Sequence, residues 1–127
     1  MKTQLTVVLV LLLSLNVLGS TTPEPQTSTK VFSVTNFGSF NVHRQHNSAA
    51  LSWGFNSPNV TSFTIQRSYD GEYFSAIDQV GKSTGHWNKY IDATVEPGTI
   101  YYKIIAVMND GSKDESPVTS VRIVRHR

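Results

Sequence analysis

The sequence predicts an all-β domain, an antiparallel sandwich of seven strands, and three observations support this. After about residue 31, apolar side chains alternate with polar ones, which is the period of a strand, and no helical period of 3.6 residues is present. Gly, Asn, Asp and Pro cluster at intervals of about 8 to 12 residues, which is typical of a sandwich or barrel. The segment 90–112 contains an alternating strand between two turn dipeptides, Pro97-Gly98 and Asp110-Gly111.

The N-terminus has the pattern of a secretory signal peptide over residues 1–20. Lys2 is the only charged residue there, and residues 5–17 are apolar apart from Thr6, Ser14 and Asn16. This run is shorter than the stretch of about 20 apolar residues that a membrane span needs. We therefore expect a secreted protein, extracellular or periplasmic, that is cleaved after Gly19 or Ser20 and has no membrane anchor in its mature form.

Residues 21–30 are predicted to be a flexible linker, and residues 31–127 to be the folded domain. The segment TTPEPQTST has two prolines, five threonines or serines and no large apolar side chain, so it cannot bury enough surface to offset the entropy of ordering. The chain has no cysteine, which excludes disulfides and thiolate chemistry. Without Lys2, ten basic and nine acidic residues remain, a balance that does not favour nucleic acid as a partner.

The strands are predicted from alternation between turn signals, and Asp70-Gly71 is predicted to close a tight hairpin between the third and the fourth. The seven predicted strands are 37–45, 48–54, 61–68, 73–80, 87–91, 99–107 and 117–124. This number of strands, in a domain of this length, is that of an immunoglobulin-like sandwich. Alternation also predicts the inward-facing side chains, namely Leu51, Trp53, Phe63, Ile65, Phe74, Tyr90, Tyr102, Ile104, Val121 and Ile123, together with Ile100 from the sixth strand.

Three segments carry a family resemblance. ALSWGF (residues 50–55), SFTIQRSYDGEYFSAI (62–77) and YIDATVEPGTIYYKIIAVMNDGS (90–112) resemble strand motifs of a fibronectin type III domain, in the same order and spacing, and especially the variants in secreted and surface proteins of Gram-negative bacteria. The resemblance implies a sandwich of three plus four strands that serves as a spacer, adhesion or protein-binding module. The family usually has a tyrosine, bonded to the backbone, where Ile100 stands here; its bond is expected to be lost or moved to Tyr101 or Tyr102.

No catalytic or metal site is predicted, and no cofactor is expected. His43 and His46 lie three residues apart, hence on opposite faces of a strand, and no hydroxyl or carboxylate has a spacing that completes a catalytic set. Asn109, Asp110, Asp114 and Glu115 crowd one segment, but their order does not match a calcium-binding loop. A polar hairpin loop is the simpler interpretation, and we expect a protein that is not an enzyme.

Binding is the function that the strand pattern favours. Tyr101, Lys103 and Ile105 lie on the outward face of the sixth strand, and the neighbouring third strand adds Thr64 and Gln66 to the same face. Tyrosine and aliphatic groups beside polar ones are typical of a protein interface, although scattered exposed apolar residues are also ordinary on a strand. These five residues are the predicted binding site for a protein partner, and another copy of the chain is one candidate for that partner.

The alternative prediction is a carbohydrate-binding accessory module. Tyr69, Tyr73 and Trp87 lie in or beside predicted loops and could form a stacking platform for a sugar. Such a platform requires that the rings be exposed and coplanar.

Overall fold

The computed structural model describes residues 35–125, which form eight strands and no helix. The strands are β1 (Phe37–Gln45), β2 (Ser48–Phe55), β3 (Val60–Ser68), β4 (Ser75–Gly81), β5 (Trp87–Asp92), β6 (Gly98–Met108), β7 (Lys113–Glu115) and β8 (Thr119–Ile123). The predicted signal peptide, the predicted linker and the last two residues of the basic C-terminus lie outside the described residues. Within residues 35–125 there is no helix long and apolar enough to cross a membrane.

The strands form two antiparallel sheets that pack in a sandwich-like arrangement, as predicted. One sheet has the order β1-β2-β5; the other has the order β4-β3-β6-β7, and β8 also pairs with β6. Because the inward residues of both sheets form one hydrophobic cluster, the core lies between the two sheets. The all-β, antiparallel class is therefore confirmed.

The last predicted strand, 117–124, corresponds to β8, and the short strand β7 precedes it in the segment where the sequence predicts a polar loop. β7 pairs with β6 at residues 105–107 and β8 pairs with it at residues 98–102. Between them, the backbone N–H of Ile104 donates to Ser116 Oγ (2.8 Å), and the N–H of Ser116 donates to the Ile104 carbonyl (2.9 Å). Pro117 follows, and since proline has no N–H it cannot continue the ladder. The break therefore comes at this Ser-Pro step.

Most of the predicted core is confirmed. Leu51, Trp53, Phe63, Ile65, Ile100, Tyr102, Ile104 and Ile123 are buried, and Tyr90 and Val121 are partly buried against them. Phe74 was predicted to face inward, and this is wrong: its ring lies under the Lys103 ammonium, on the outer side of the sheet. It precedes β4 instead of belonging to it, so strand alternation does not apply to it.

The core is widest at its aromatic end. The ring of Trp53 meets that of Phe63 edge-on at 5.4 Å, and the ring of Phe55 meets those of Phe63 at 5.4 Å and Phe37 at 4.9 Å. Edge-to-face contacts of this kind each contribute about 0.5–1.5 kcal/mol beyond the area they bury. Trp53 Nε1 is buried without a hydrogen-bond partner among the described residues, so packing alone holds this ring in place.

The loop between β3 and β4 is wider than the tight hairpin that Asp70-Gly71 predicts. Gly71 does have a positive φ of 81°, but β4 begins only at Ser75. Asp70 Oδ1 accepts hydrogen bonds from the backbone N–H of Glu72 and Tyr73, each at 2.9 Å, which lowers the pKa of this carboxyl group. The Asp70 side chain therefore organises a loop of six residues, 69–74, where the sequence predicts a tight turn within residues 69–72.

A buried carboxylate ties the two sheets together. Asp92, at the end of β5, is only 2% exposed, and its Oδ2 accepts from the Tyr102 hydroxyl (2.8 Å) and from Arg67 Nη1 (2.7 Å). Oδ1 accepts from the backbone N–H and the hydroxyl of Thr94. Burial alone would raise the pKa of Asp92, but the hydrogen bonds from Arg67 and Tyr102 outweigh it and lower the pKa. The tyrosine bond expected near Ile100 is therefore made by Tyr102, to a carboxylate in place of the backbone.

Candidate functional site

Four of the five predicted binding residues lie side by side on the outer side of the larger sheet. In the register of β3 and β6, Thr64 is opposite Ile105 and Gln66 is opposite Lys103. Their neighbours along the two strands, including Ile65 and Ile104, point into the core and are fully buried. The alternation that builds the core thus presents Thr64, Gln66, Lys103 and Ile105 together on the opposite side, and we call these four residues the outer face.

The outer face is the floor of a shallow groove of about 380 Å³. Val107 extends the floor along β6, and β7 forms one wall, because Glu115 is paired with Ile105 and Lys113 with Val107. The sequence predicts a polar loop at residues 109–115, so the wall at Lys113–Glu115 was missed. Lys, Asp and Glu are all uncommon in strands, so Lys113–Glu115 carried no local signal of a strand.

Lys103 is held in place at the centre of the outer face. Its Nζ lies 2.7 Å from Glu115 Oε1 and 4.7 Å from the centre of the Phe74 ring. An exposed ion pair contributes about 0–1 kcal/mol and a cation–π contact about 0.5–1 kcal/mol, so these contacts add little to folding. Their effect is on shape and charge, because they fix the side chain beside Ile105 and neutralise its ammonium group.

The structure separates Tyr101 from the other predicted site residues. It is opposite Ser68 at the far end of the two strands and does not line the groove. Its ring packs on Gly71, where an added Cβ would lie 3.4 Å from Tyr101 Cζ. Tyr101 therefore supports the β3–β4 loop and lies apart from the other four predicted binding residues, because strand alternation does not indicate which part of a strand a loop covers.

The acidic residues near β7 do not form a metal site. Asp110 Oδ1 accepts from the hydroxyl and the backbone N–H of Ser112, which lowers the pKa of Asp110. Asp114 accepts from the Thr35 hydroxyl (3.2 Å) and the Asn36 backbone N–H (2.8 Å), while Glu115 faces Lys103. No group of three or more potential metal ligands occurs in residues 35–125.

The aromatic platform of the alternative prediction is not assembled. Trp87 begins β5 opposite Gly54, at the end of the sandwich where β2 ends and β3 begins. Tyr69 and Tyr73 lie beyond the other end of β3, on the order of 25 Å away for a strand of this length. Tyr69 is also used structurally, because its hydroxyl accepts from the Glu96 N–H and its ring packs under the Arg67 guanidinium. The ring of Trp87 therefore lies far from those of the two tyrosines.

Comparisons with known proteins show the fold alone. No family model and no curated protein sequence matches the chain. Among solved structures, pectate lyase PelI from Erwinia chrysanthemi, in complex with tetragalacturonic acid, aligns with a TM-score of 0.57 and 14% identity, over 65% of this chain and 27% of the lyase. Pectate lyase Pel3 from Pectobacterium carotovorum aligns with a TM-score of 0.54 and 22% identity, over 65% of this chain and 26% of the lyase.

A third solved structure, described as that of a myokine, aligns with a TM-score of 0.53 and 20% identity, over 72% of this chain and 98% of the myokine. The chain thus spans about a quarter of the two lyase chains but nearly the whole of the myokine chain. At these identities the similarity concerns the all-β fold.

Proposed function

We propose that this chain is a secreted, non-catalytic module of fibronectin type III type that binds a protein partner through the groove on its outer face. The strand order supports the family assignment. One sheet has three strands, β1-β2-β5, and the other has four in the order β4-β3-β6 followed by β7 and β8, if these two are counted as one strand interrupted at residues 116–118. The signal-like residues 1–20 support secretion.

The observation that carries the binding proposal is the pair of aliphatic side chains in the groove. Ile105 and Val107 line a concave outer surface, whereas Ile104 and Ala106, next to them in β6, are fully buried in the core. Folding therefore does not require apolar groups at 105 and 107. Apolar side chains in a concave, polar-rimmed patch are the usual centre of a protein interface.

The polar groups of the groove indicate a protein surface as the ligand. On the floor, Gln66 and Thr64 offer an amide and a hydroxyl beside the aliphatic groups, and on the wall Lys113 and Glu115 offer both signs of charge, so that polar groups surround the aliphatic centre as a rim. Nucleic acid would require an excess of positive charge, which this rim does not have. A partner with an apolar side chain at its centre and mixed charges around it fits the groove best.

The proposal is tested by a substitution inside the groove, with the same substitution outside the groove as a control. Ile105→Glu places a charge in the groove floor; the control Ile91→Glu places the same charge on a 51%-exposed isoleucine of β5, in the other sheet. Both proteins should keep the unfolding temperature of the original within a few degrees.

Two measurements detect the association. Sedimentation velocity detects a complex between two copies of the chain, and capture from the medium of the source cells detects another protein partner. We expect Ile105→Glu to lose the association and Ile91→Glu to retain it. If both variants lose the association, or if both retain it, the groove is ordinary surface and the proposal is wrong.

A further inference from the structure

A second cavity lies between the two sheets, at the end where the β2–β3 and β4–β5 loops meet. It has a volume of about 320 Å³, at the lower end of the range for small-molecule sites. Its floor is formed by Phe55, Val60 and Phe63, and its rim includes Lys82, His86 and Asn88. We call this cavity the inter-sheet slot; it opens away from the outer face, because Phe63 and Thr64 point to opposite sides of β3.

The floor of the slot is rigid and apolar. Phe63 is fully buried and Val60 is 6% exposed, so their positions are set by the core. The ring of Phe55 is held edge-on between those of Phe63 and Phe37. A flat apolar group that enters the slot would contact the partly buried ring of Phe55, which packs on the fully buried ring of Phe63.

The rim of the slot is held by hydrogen bonds within the β4–β5 loop. The hydroxyl of Ser83 contacts the carbonyls of Trp87 (2.8 Å) and Gly85 (3.2 Å), and its backbone N–H donates to Asn88 Oδ1 (2.9 Å). This last bond occupies the oxygen of the Asn88 amide. The Nδ2 group of the same side chain donates no hydrogen bond to any of the described residues, although Asn88 is only 5% exposed.

The free polar groups of the slot favour an anion. Asn88 lines the slot, and its Nδ2 group is not one of the buried atoms that lack a partner among the described residues, so it can donate to a ligand that enters the slot. Lys82 makes no ion pair with any residue in 35–125, and no acidic side chain lines the slot. The slot thus combines an aromatic floor with one amide donor and one ammonium group.

We propose that the inter-sheet slot binds a small organic carboxylate with an apolar ring. The ring lies against Phe55, and the carboxylate accepts hydrogen bonds from Asn88 Nδ2 and Lys82 Nζ. Hydrogen bonds to a charged acceptor are about twice as strong as those between neutral groups, so the carboxylate provides the specificity and the ring provides the buried area. This site is separate from the groove and independent of the protein partner proposed for it.

The test is a titration of the ¹⁵N-labelled protein with phenylacetate, followed by NMR through the side-chain amide of Asn88. We expect saturable shifts at the slot residues, with a Kd in about the millimolar range that is reasonable for a ligand of this size. Phenylacetamide, which has the same ring but no charge, should bind about tenfold more weakly, as expected for the loss of a charge-assisted contact.

Two variants and a control locate the site. Asn88→Asp keeps an oxygen to accept from Ser83 but replaces the donor by a negative charge, so it should raise the Kd for phenylacetate at least about tenfold. Lys82→Gln, at an exposed position, should weaken binding severalfold even if Asn88→Asp does not fold. Lys89→Gln removes an exposed charge from the opposite side of β5 and should have no effect.

Any of four results would overturn the proposal. One is the absence of saturable shifts with phenylacetate. The second is equal binding of phenylacetamide, which would show that the carboxylate is not recognised. The third is binding that Lys82→Gln and Lys89→Gln weaken to the same extent, which would indicate a non-specific effect of charge. Shifts confined to the groove on the outer face would likewise place the ligand at the wrong site.

Discussion

Removal of one hydroxyl group, by Tyr102→Phe, tests whether the buried carboxylate of Asp92 stabilises the sandwich. Tyr102 is fully buried, so phenylalanine fills the same space and the change removes only the bond from the hydroxyl to Asp92 Oδ2. A hydrogen bond to a charged group contributes about 1.5–3 kcal/mol. For a domain of this size each kcal/mol corresponds to about 4–8 °C, so a loss of about 2 kcal/mol lowers the unfolding temperature by about 8–16 °C.

The effect of Tyr102→Phe should depend on pH, in a direction that the pKa of Asp92 determines. Despite the opposing effect of burial, hydrogen bonds lower the pKa of Asp92 in the folded state. A lowered pKa stabilises the fold above the unfolded value of about 3.9, and this stabilisation is lost as the pH falls through the folded value. The difference between the two proteins should therefore be full at neutral pH and smaller in acid, where Asp92 is protonated in both.

The assay is thermal unfolding followed by tryptophan fluorescence, which reports on the buried Trp53, at neutral pH and at several acidic values. Tyr101→Phe is the matched control, because it removes a hydroxyl from the next residue of β6, and that hydroxyl makes no hydrogen bond to any described residue. If Tyr102→Phe costs no more than Tyr101→Phe, or if its cost is the same at all pH values, the stabilising role of the Asp92 bond is refuted.

Two further changes test the turn and the core. Gly71→Ala should lower the free energy of unfolding, measured with urea, by about 1 kcal/mol or more, because φ is 81° and the new Cβ would lie against the Tyr101 ring. The control Gly85→Ala places its Cβ in open space and should leave the free energy of unfolding unchanged. Equal urea midpoints for the two variants would contradict this prediction. Trp53→Ala should lower the free energy of unfolding by about 3–5 kcal/mol in the same measurement. Trp87→Ala should lower it much less, because the Trp87 ring is 50% exposed. Similar losses for the two variants would show that Trp53 is not central to the core.

The limits of sequence interpretation are clearest at β7 and β8. The first strand was predicted with its observed ends, Phe37–Gln45, and the second and third within one residue, because alternation and turn residues are local properties. The last strand, predicted at 117–124, is observed as β8 (Thr119–Ile123), but β7 (Lys113–Glu115) was predicted as a polar loop. The bonds between Ser116 and Ile104, twelve residues earlier in the chain, hold this segment against β6, and no local pattern specifies that pairing.

For the candidate site too, local sequence patterns predicted one part of the arrangement and missed another. Alternation placed Thr64, Gln66, Lys103 and Ile105 on one side of the sheet, since a strand exposes every second residue whatever its neighbours are. It could not show that Tyr101 is covered by the β3–β4 loop. Nor could it show that Trp87 and the tyrosines of that loop stand at opposite ends of the sandwich, because the distance between loops depends on the order of strands in the two sheets.

By itself, the sequence determined the class of fold, most strand positions and which side chains face the core, because period-two alternation, turn dipeptides and side-chain hydrophobicity act over a few residues. Only the tertiary structure decided which distant residues meet. The contact of Asp92 with Arg67 and Tyr102, the wall that β7 adds to the groove and the slot beside Asn88 all join segments from different strands. Their physical cause is the packing of two twisted sheets, which brings together residues that no local rule connects.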